Sequence, residues 1–222
     1  MTFDTIHGYG DFCAGLRKAG FSFGGENSEG IFTLCHYFSE NLRWHTGDPE
    51  TDPWAFRMRA LKEETDIGYG KLFFQKGGYM TREWAPCFIA LRRQHQSFED
   101  EYQEGRMSQL ERSICRYVQD KGDAALHEIK AAANDKGLEA ALSRLQTKMY
   151  LTISGQTMRL SKDNVPYGWP VTTFRLTDDF WGPDVMAKAN TMSVQEARDR
   201  IAQRVYELNP GVEKKVLERF LR

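Results

Sequence analysis

The chain has 222 residues, a formal net charge of −1, 41% hydrophobic residues and 27% charged residues. This composition is typical of a globular protein, and the length is sufficient to bury a hydrophobic core without disulfide or metal support. A net charge near zero excludes the global cationic field that drives bulk binding to nucleic acid, so any such contact has to come from a local patch.

The cysteine content and the N-terminal residues indicate a cellular compartment. The first residues, MTFDTIHGYGDF, contain no basic segment followed by an apolar one, so we expect no secretory signal. No apolar run approaches the length of a membrane span. The cysteines form no paired motif and predict reduced, mostly buried thiols; they are Cys13, Cys35, Cys87 and Cys115. We therefore expect a cytoplasmic protein with no membrane contact.

The first fifty residues predict one helix and one turn. Residues 4–19 are expected to form a first helix with Asp4 as its N-cap. Gly24, Gly25 and Gly30 then lie between short apolar runs. Glycines in that pattern indicate a turn flanked by short strands or irregular chain.

Two further helix starts follow. Asp52 and Pro53 predict a helix to about Glu64, because aspartate accepts from free amides at a helix start and proline at the first position loses no hydrogen bond. Thr81 is the expected N-cap of the next helix. The charged segment 92–108 that comes after it is the best candidate for a boundary between two halves.

The second half predicts three amphipathic helices and a β-hairpin. Apolar residues recur every three or four positions in 108–122, 125–133 and 138–150. After Tyr150 the period falls to about two, which indicates two strands around a long polar turn. Three helices followed by such a hairpin is the order of elements in a winged helix.

The C-terminal residues predict two more helices. Ser193 and Glu196 match a capping box, and Asn209 and Pro210 are the expected start of a last helix. Their apolar stripes need a partner surface, either in this chain or in a second subunit, so a homodimer through these helices is one expectation.

The fold class expected from these elements is α+β and mainly α, with three parts. Residues 1–96 are predicted to form an N-terminal mixed helical domain, residues 97–182 a winged-helix domain, and residues 183–222 C-terminal helices that pack on the core.

The expected winged helix carries candidate nucleic-acid contacts. Residues 121–162 contain seven Lys or Arg and four Asp or Glu, a local excess of three positive charges. Arginine and short hydroxyl side chains suit contacts with phosphates and bases. The candidates on the third helix are Ser143, Arg144, Thr147 and Lys148, and those on the hairpin are Arg159 and Lys162. The alternative is a module that only contacts proteins or supports the other half.

The segment Asn41–Arg59 is a second candidate site. Trp44 and Trp54 could wall a pocket that stacks a planar group. His45, Asp48 and Asp52 could accept a proton or position a water. In the alternative interpretation, Asp52 only starts a helix and Trp54 anchors it in the core.

Motifs for metal or cofactor binding are weak. Cys35, His36 and His45 form the only cluster of potential metal ligands, and their spacing matches no familiar zinc pattern. Neither GxGxxG nor a P-loop is present, and no GxSxG nucleophile elbow occurs. We therefore expect no metal and no cofactor.

Several stretches resemble a known family. GDPETDPWAFRMR, YGKLFFQKGGYMTREWAPCFIALRR, LSRLQTKMYLTISG and YGWPVTTF are similar to bacterial proteins described as AlkZ-related, over most of residues 20–180. The resemblance implies kinship with winged-helix DNA glycosylases of the AlkZ type, which excise damaged bases with glutamine- or aspartate-bearing motifs. Gln75 stands alone before Gln94, so no Gln-x-Gln or Gln-x-Asp catalytic strand is found in the first half of the chain upstream of Gln94, and no catalytic residue is carried over.

Three functions remain open from the sequence. The leading expectation is a winged-helix protein that binds double-stranded DNA without catalysis. The first alternative is a DNA glycosylase acting on alkylated bases, with an aromatic pocket at Trp44 and Trp54 and a water positioned by Asp48 or Asp52. The second alternative is a protein-interaction module that uses the terminal helices.

Overall fold

A computed structural model describes residues 1–222 and has an α+β fold. A short 3₁₀ helix lies at Leu34–Tyr37. The other elements, in chain order, are α1 (Tyr9–Ala19), β1 (Phe21–Phe23), α2 (Pro53–Glu63), β2 (Ile67–Phe73), β3 (Lys76–Thr81), α3 (Ala85–Arg93), α4 (Phe98–Gln103), α5 (Gln109–Lys121), β4 (Ala124–Ala125), α6 (Leu126–Ala133), α7 (Leu138–Thr147), β5 (Leu151–Leu160), β6 (Pro166–Leu176), α8 (Thr177–Trp181), α9 (Pro183–Thr191), α10 (Val194–Leu208) and α11 (Lys214–Phe220).

All six strands belong to one antiparallel sheet in the order β1-β3-β2-β5-β6-β4. Strands β2 and β3 form a hairpin in the first half of the chain. Tyr69 of β2 pairs with Ile153 of β5, which belongs to the second half. The sheet is therefore continuous between the two halves.

Two hydrophobic clusters lie around this sheet. The larger contains 38 buried residues, mostly from the first ninety and the last forty positions. The smaller contains 14 buried residues between Met107 and Leu176. The predicted three helices are present here as α5, α6 and α7, and the predicted hairpin follows them as β5 and β6.

The C-terminal helices bury their apolar stripes against this same chain. Helices α9 and α10 both pack on α3. The buried side chains of α10 and α11 are Ala197, Ile201, Val205, Leu208, Leu217 and Phe220. A homodimer through these helices stays a prediction, and it would have to use their polar faces.

Local sequence patterns predicted two helix starts correctly. Helix α2 begins at Pro53, and the carboxylate of Asp52 accepts a hydrogen bond from the amide of Trp54, as predicted. At the start of α10 the hydroxyl of Ser193 accepts from the amide of Glu196 at 3.1 Å, which is one half of the predicted capping box.

Three other predictions of helix starts were wrong. The first helix begins at Tyr9 instead of Asp4, because Ile6 is extended and pairs with Phe38. Thr81 ends β3 and donates its hydroxyl to the carbonyl of Gly20 at 3.1 Å, so α3 begins only at Ala85.

The last helix starts later than predicted as well. Residues Asn209–Val212 form a turn closed by a 3.0 Å hydrogen bond from the amide of Val212 to the carbonyl of Asn209. Helix α11 therefore begins at Lys214.

Candidate nucleic-acid interface

Strand β2 covers part of the outer face of α7. The ammonium group of Lys71 donates to the hydroxyl of Ser143 at 2.9 Å, and the amide of Lys71 donates to Oε1 of Gln146 at 2.9 Å. Thr147 donates its hydroxyl to the carbonyl of Lys71, also at 2.9 Å. Ser143 is only 5% exposed. The exposure that a nucleic-acid contact by Ser143 requires is therefore absent, because β2 packs where solvent was expected.

Arg144 lies on α7 and forms an ion pair with a buried carboxylate. Its Nε is 2.8 Å from Oε1 of Glu111 on α5. Burial by itself raises the pKa of Glu111, but hydrogen bonds from Ser108 and Arg144 outweigh it and hold that pKa below its usual value. The charge of Arg144 is therefore compensated within the chain.

Lys148, directly after α7, is compensated in the same way. Its Nζ lies 2.6 Å from Oε2 of Glu101, whose side chain is buried, and 3.1 Å from the carbonyl oxygen of Arg106. The positive charges predicted for the third helix thus serve contacts between helices.

Beyond the sheet, strands β5 and β6 continue as a two-stranded ribbon. Strand β2 pairs with β5 only at Ile153, and β4 pairs with β6 only at Thr173 and Phe174. Residues 156–172 therefore pair only with each other. Their pairing begins with Gln156 opposite Thr172 and ends next to the turn, with Leu160 opposite Pro166. We call these residues the ribbon.

The ribbon carries the two remaining predicted cations. Arg159 lies directly opposite Tyr167, and Lys162 lies in the turn. Both side chains are exposed. Neither takes part in the ion pairs of the molecule, in contrast to Arg144 and Lys148. These two charges are free to meet an external anion.

The ribbon also exposes large apolar side chains that the sequence reasoning missed. Trp169 is 89% exposed, more than any other large hydrophobic residue. The others on the ribbon are Leu160, Val165 and Tyr167. The available signal was the run PYGWP, which places two aromatic rings among turn formers at the beginning of the return strand β6.

In the segment Asn41–Arg59, Asp52 has a structural role. Its carboxylate accepts hydrogen bonds from the amides of His45 at 3.0 Å, Gly47 at 2.9 Å and Trp54 at 2.8 Å. Burial by itself raises the pKa of Asp52, but these three bonds outweigh it and lower the pKa. A buried carboxylate engaged in this way has little capacity left to position a water.

The two predicted pocket tryptophans do come together, but a histidine lies between them. The ring of His45 is 4.8 Å from that of Trp54 and 6.4 Å from that of Trp44. The guanidinium of Arg57 stacks on Trp54 at 3.3 Å. Both tryptophans are exposed, so Trp54 is a surface residue and the core anchor of the alternative interpretation was wrong.

The remaining candidates of this segment lie at its surface. Asp48 is exposed and accepts from the amide of Glu50 at 2.8 Å, and this backbone bond is the main reason for its lowered pKa. Arg59, the last residue of the segment and not one of the candidates, is partly buried and paired with Glu50 and Glu63. His45 has a left-handed backbone, with φ of 63°.

Metal binding and membrane insertion each require a recognisable arrangement of residues. The structure contains no group of three or more His, Cys, Asp or Glu side chains arranged to hold a metal ion. None of its helices combines the length and the apolar character needed to cross a bilayer.

Comparison with known proteins gives one match. The family model described as "AlkZ related" matches residues 6–222, which is nearly the whole chain. No curated protein and no solved structure is significantly similar to the chain.

Proposed function

Because the chain belongs to the AlkZ-related family, we propose that it binds double-stranded DNA through a winged helix formed by residues 108–177. The order of elements supports this proposal, since α5, α6 and α7 precede the β5–β6 hairpin. Strand β4 lies between α5 and α6 and pairs with β6, which adds a third strand. In this proposal the winged helix is the main part of a middle domain, residues 97–182.

The observation that carries the proposal is the presence of uncompensated cations on a projecting ribbon. Arg159 and Lys162 are exposed and unpaired, and Asp163 is the only acidic residue of the ribbon. A two-stranded β-ribbon fits the major groove of B-DNA. Arginine and lysine on such an element bind the phosphates that flank the groove.

Helix α7 is assigned no role in reading bases. In a helix-turn-helix protein the second helix enters the major groove and exposes its outer face to base edges. Here Ser143, Gln146 and Thr147 are bonded to Lys71 instead. The proposed contact therefore lies on the ribbon, and α7 connects the winged helix to the N-terminal half.

The test is the salt dependence of binding to a plain duplex, measured by fluorescence anisotropy. We expect affinity to fall steeply with salt. We expect Arg159→Ala with Lys162→Ala to weaken binding and to reduce the slope of log affinity against log salt by about 0.9 for each lost phosphate contact.

A charge-matched control variant is Lys214→Ala with Lys215→Ala. Both residues are exposed and lie on α11, outside the ribbon. This control should leave affinity and slope unchanged. An unchanged slope in the ribbon variant would overturn the proposal and favour a protein-interaction module.

Base excision is the second candidate function. The observation that favours it is the left-handed backbone of His45 between two exposed tryptophans. Sparsely populated backbone conformations that the surrounding structure maintains occur often at functional sites. The test is release of free base from an alkylated duplex, with the intact duplex as reference.

A further inference from the structure

The ribbon contains an irregularity that exposes one side chain. Thr157 pairs with Val171, and Arg159 pairs with Tyr167. Between these pairs β5 has one residue, Met158, whereas β6 has the three residues 168–170. This is a β-bulge, a feature that bends a strand and redirects a side chain.

The residues of the bulge favour a bent strand with one exposed side chain. Gly168 has a φ of 74°, a conformation that glycine adopts without steric cost. Pro170 fixes the backbone on the other side. Trp169 between them is 89% exposed. Large aromatic residues are rarely left so exposed, and exposed apolar surface of this kind marks an interaction site.

The ribbon is long enough to bring its apolar residues to DNA bases. At about 3.3 Å per residue, the five residues from Gln156 to Leu160 extend about 16 Å beyond the sheet. Both grooves of B-DNA are about 8 Å deep. Arg159 and Lys162, anchored on phosphates, would keep the ribbon in the groove.

We infer that Trp169 is a wedge that stacks on a base at an opened step, so the preferred partner is a duplex containing a nick, gap or mismatch. This inference rests on the proposed DNA binding. Apolar side chains on DNA-binding elements enter between base pairs and unstack them. An already opened step removes that unstacking cost, and an aromatic ring then stacks on the base regardless of its identity. The charge of the ribbon favours this partner over a second apolar surface.

The experiment compares affinities for an intact duplex and for the same duplex with a one-nucleotide gap. We expect wild type to bind the gapped duplex about tenfold more tightly, within the range that one stacked base supplies. Trp169→Ala should abolish the preference and change affinity for the intact duplex less than about twofold, because phosphate contacts remain. Trp169→Phe should keep most of the preference.

Tyr206→Ala is the matched control. Tyr206 is an exposed aromatic residue on α10, outside the ribbon. Its replacement should leave the preference for the gapped duplex intact. A wild-type protein with no preference for the gap, or a preference that survives in Trp169→Ala, would overturn the wedge while leaving DNA binding in place. Absence of salt-dependent binding to either duplex would instead refute the proposed function and the wedge with it. Loss of self-association in Trp169→Ala, with unchanged DNA binding, would identify a second copy as the occupant and also overturn the wedge.

Discussion

The guanidinium of Arg93 donates a hydrogen bond from Nε to the carbonyl oxygen of Met149 at 2.9 Å. Arg93 ends α3 in the N-terminal half, whereas Met149 follows α7 in the second half and has a left-handed φ of 64°. Arg93 is buried, lies over the ring of Tyr150 and pairs with Asp178 at 2.6 Å. One side chain therefore connects both halves and α8.

Replacing Arg93 with methionine should destabilise the protein strongly. The substitution keeps an unbranched side chain beside the ring of Tyr150 but removes the donors to the Met149 carbonyl. An unsatisfied buried acceptor costs about 1–3 kcal/mol. We expect a loss of that size in the free energy of unfolding, measured by urea denaturation.

Asp178→Asn is the control for the ion pair alone. The carboxylate of Asp178 is half exposed, and pairs of that kind contribute about 0–1 kcal/mol. A loss as large as that of Arg93→Met would mean that the ion pair, rather than the bond to Met149, holds the halves together.

The contact between Lys71 and Gln146 gives a second prediction. Gln146 is 2% exposed and accepts from the amide of Lys71. Gln146→Ala should lower the free energy of unfolding by about 1–3 kcal/mol, because that amide loses its partner. DNA affinity per folded molecule should not change, since the proposed DNA contact lies on the ribbon and not on α7.

Gln203→Ala is the matched control for this change. Gln203 lies on the exposed face of α10, where a substitution changes stability by about 0.5 kcal/mol or less. A tenfold loss of DNA affinity in folded Gln146→Ala would contradict the assignment of α7 to a purely structural role.

Asp52 gives a prediction about pH. Its pKa is lower in the folded chain than in the unfolded chain, so its stabilising contribution is complete above the unfolded value of about 3.9 and is lost as pH falls through the lower folded value. Asp52→Ala should cost about 1–2 kcal/mol at neutral pH, as for a lost helix cap. The difference between wild type and variant should shrink in acid.

Chemical denaturation of wild type and Asp52→Ala between pH 7 and pH 2 measures this effect. Asp199→Ala is the control, because Asp199 is an exposed carboxylate on α10. A difference between wild type and Asp52→Ala that stays constant over this range would show that the charge of Asp52 has no part in the stabilisation.

His45 and Asp48 test the second candidate function. His45→Asn with Asp48→Asn should leave the free energy of unfolding within about 0.5 kcal/mol, because both residues are exposed and asparagine tolerates the left-handed backbone. Affinity for intact duplex should also stay the same, since the ribbon is unchanged. The double variant should lose any release of free base from alkylated duplex that the wild type shows.

Two results would change the interpretation of this segment. Base release that persists in the double variant would exclude the pair from the chemistry. A large loss of stability would mean that these side chains support the loop, as Asp52 does.

Local patterns in the sequence determined part of the secondary structure. The change of apolar period after Tyr150 located the turn from α7 into β5. Asp52 and Pro53 located the start of α2. These predictions succeed because helix caps and periodicity depend on residues only a few positions apart.

Contacts between distant residues decided which candidate side chains remain available. Lys71 lies 75 positions before Gln146, and no local pattern predicts that β2 covers α7. Glu111 and Glu101 likewise compensate Arg144 and Lys148 from other helices. The sequence by itself determined the start of α2, the three helices α5, α6 and α7, the hairpin that follows them and a local excess of positive charge. Only the tertiary structure decided that, of the predicted cations, the two on the ribbon remain unpaired, because the exposure and pairing of a side chain depend on what packs against it.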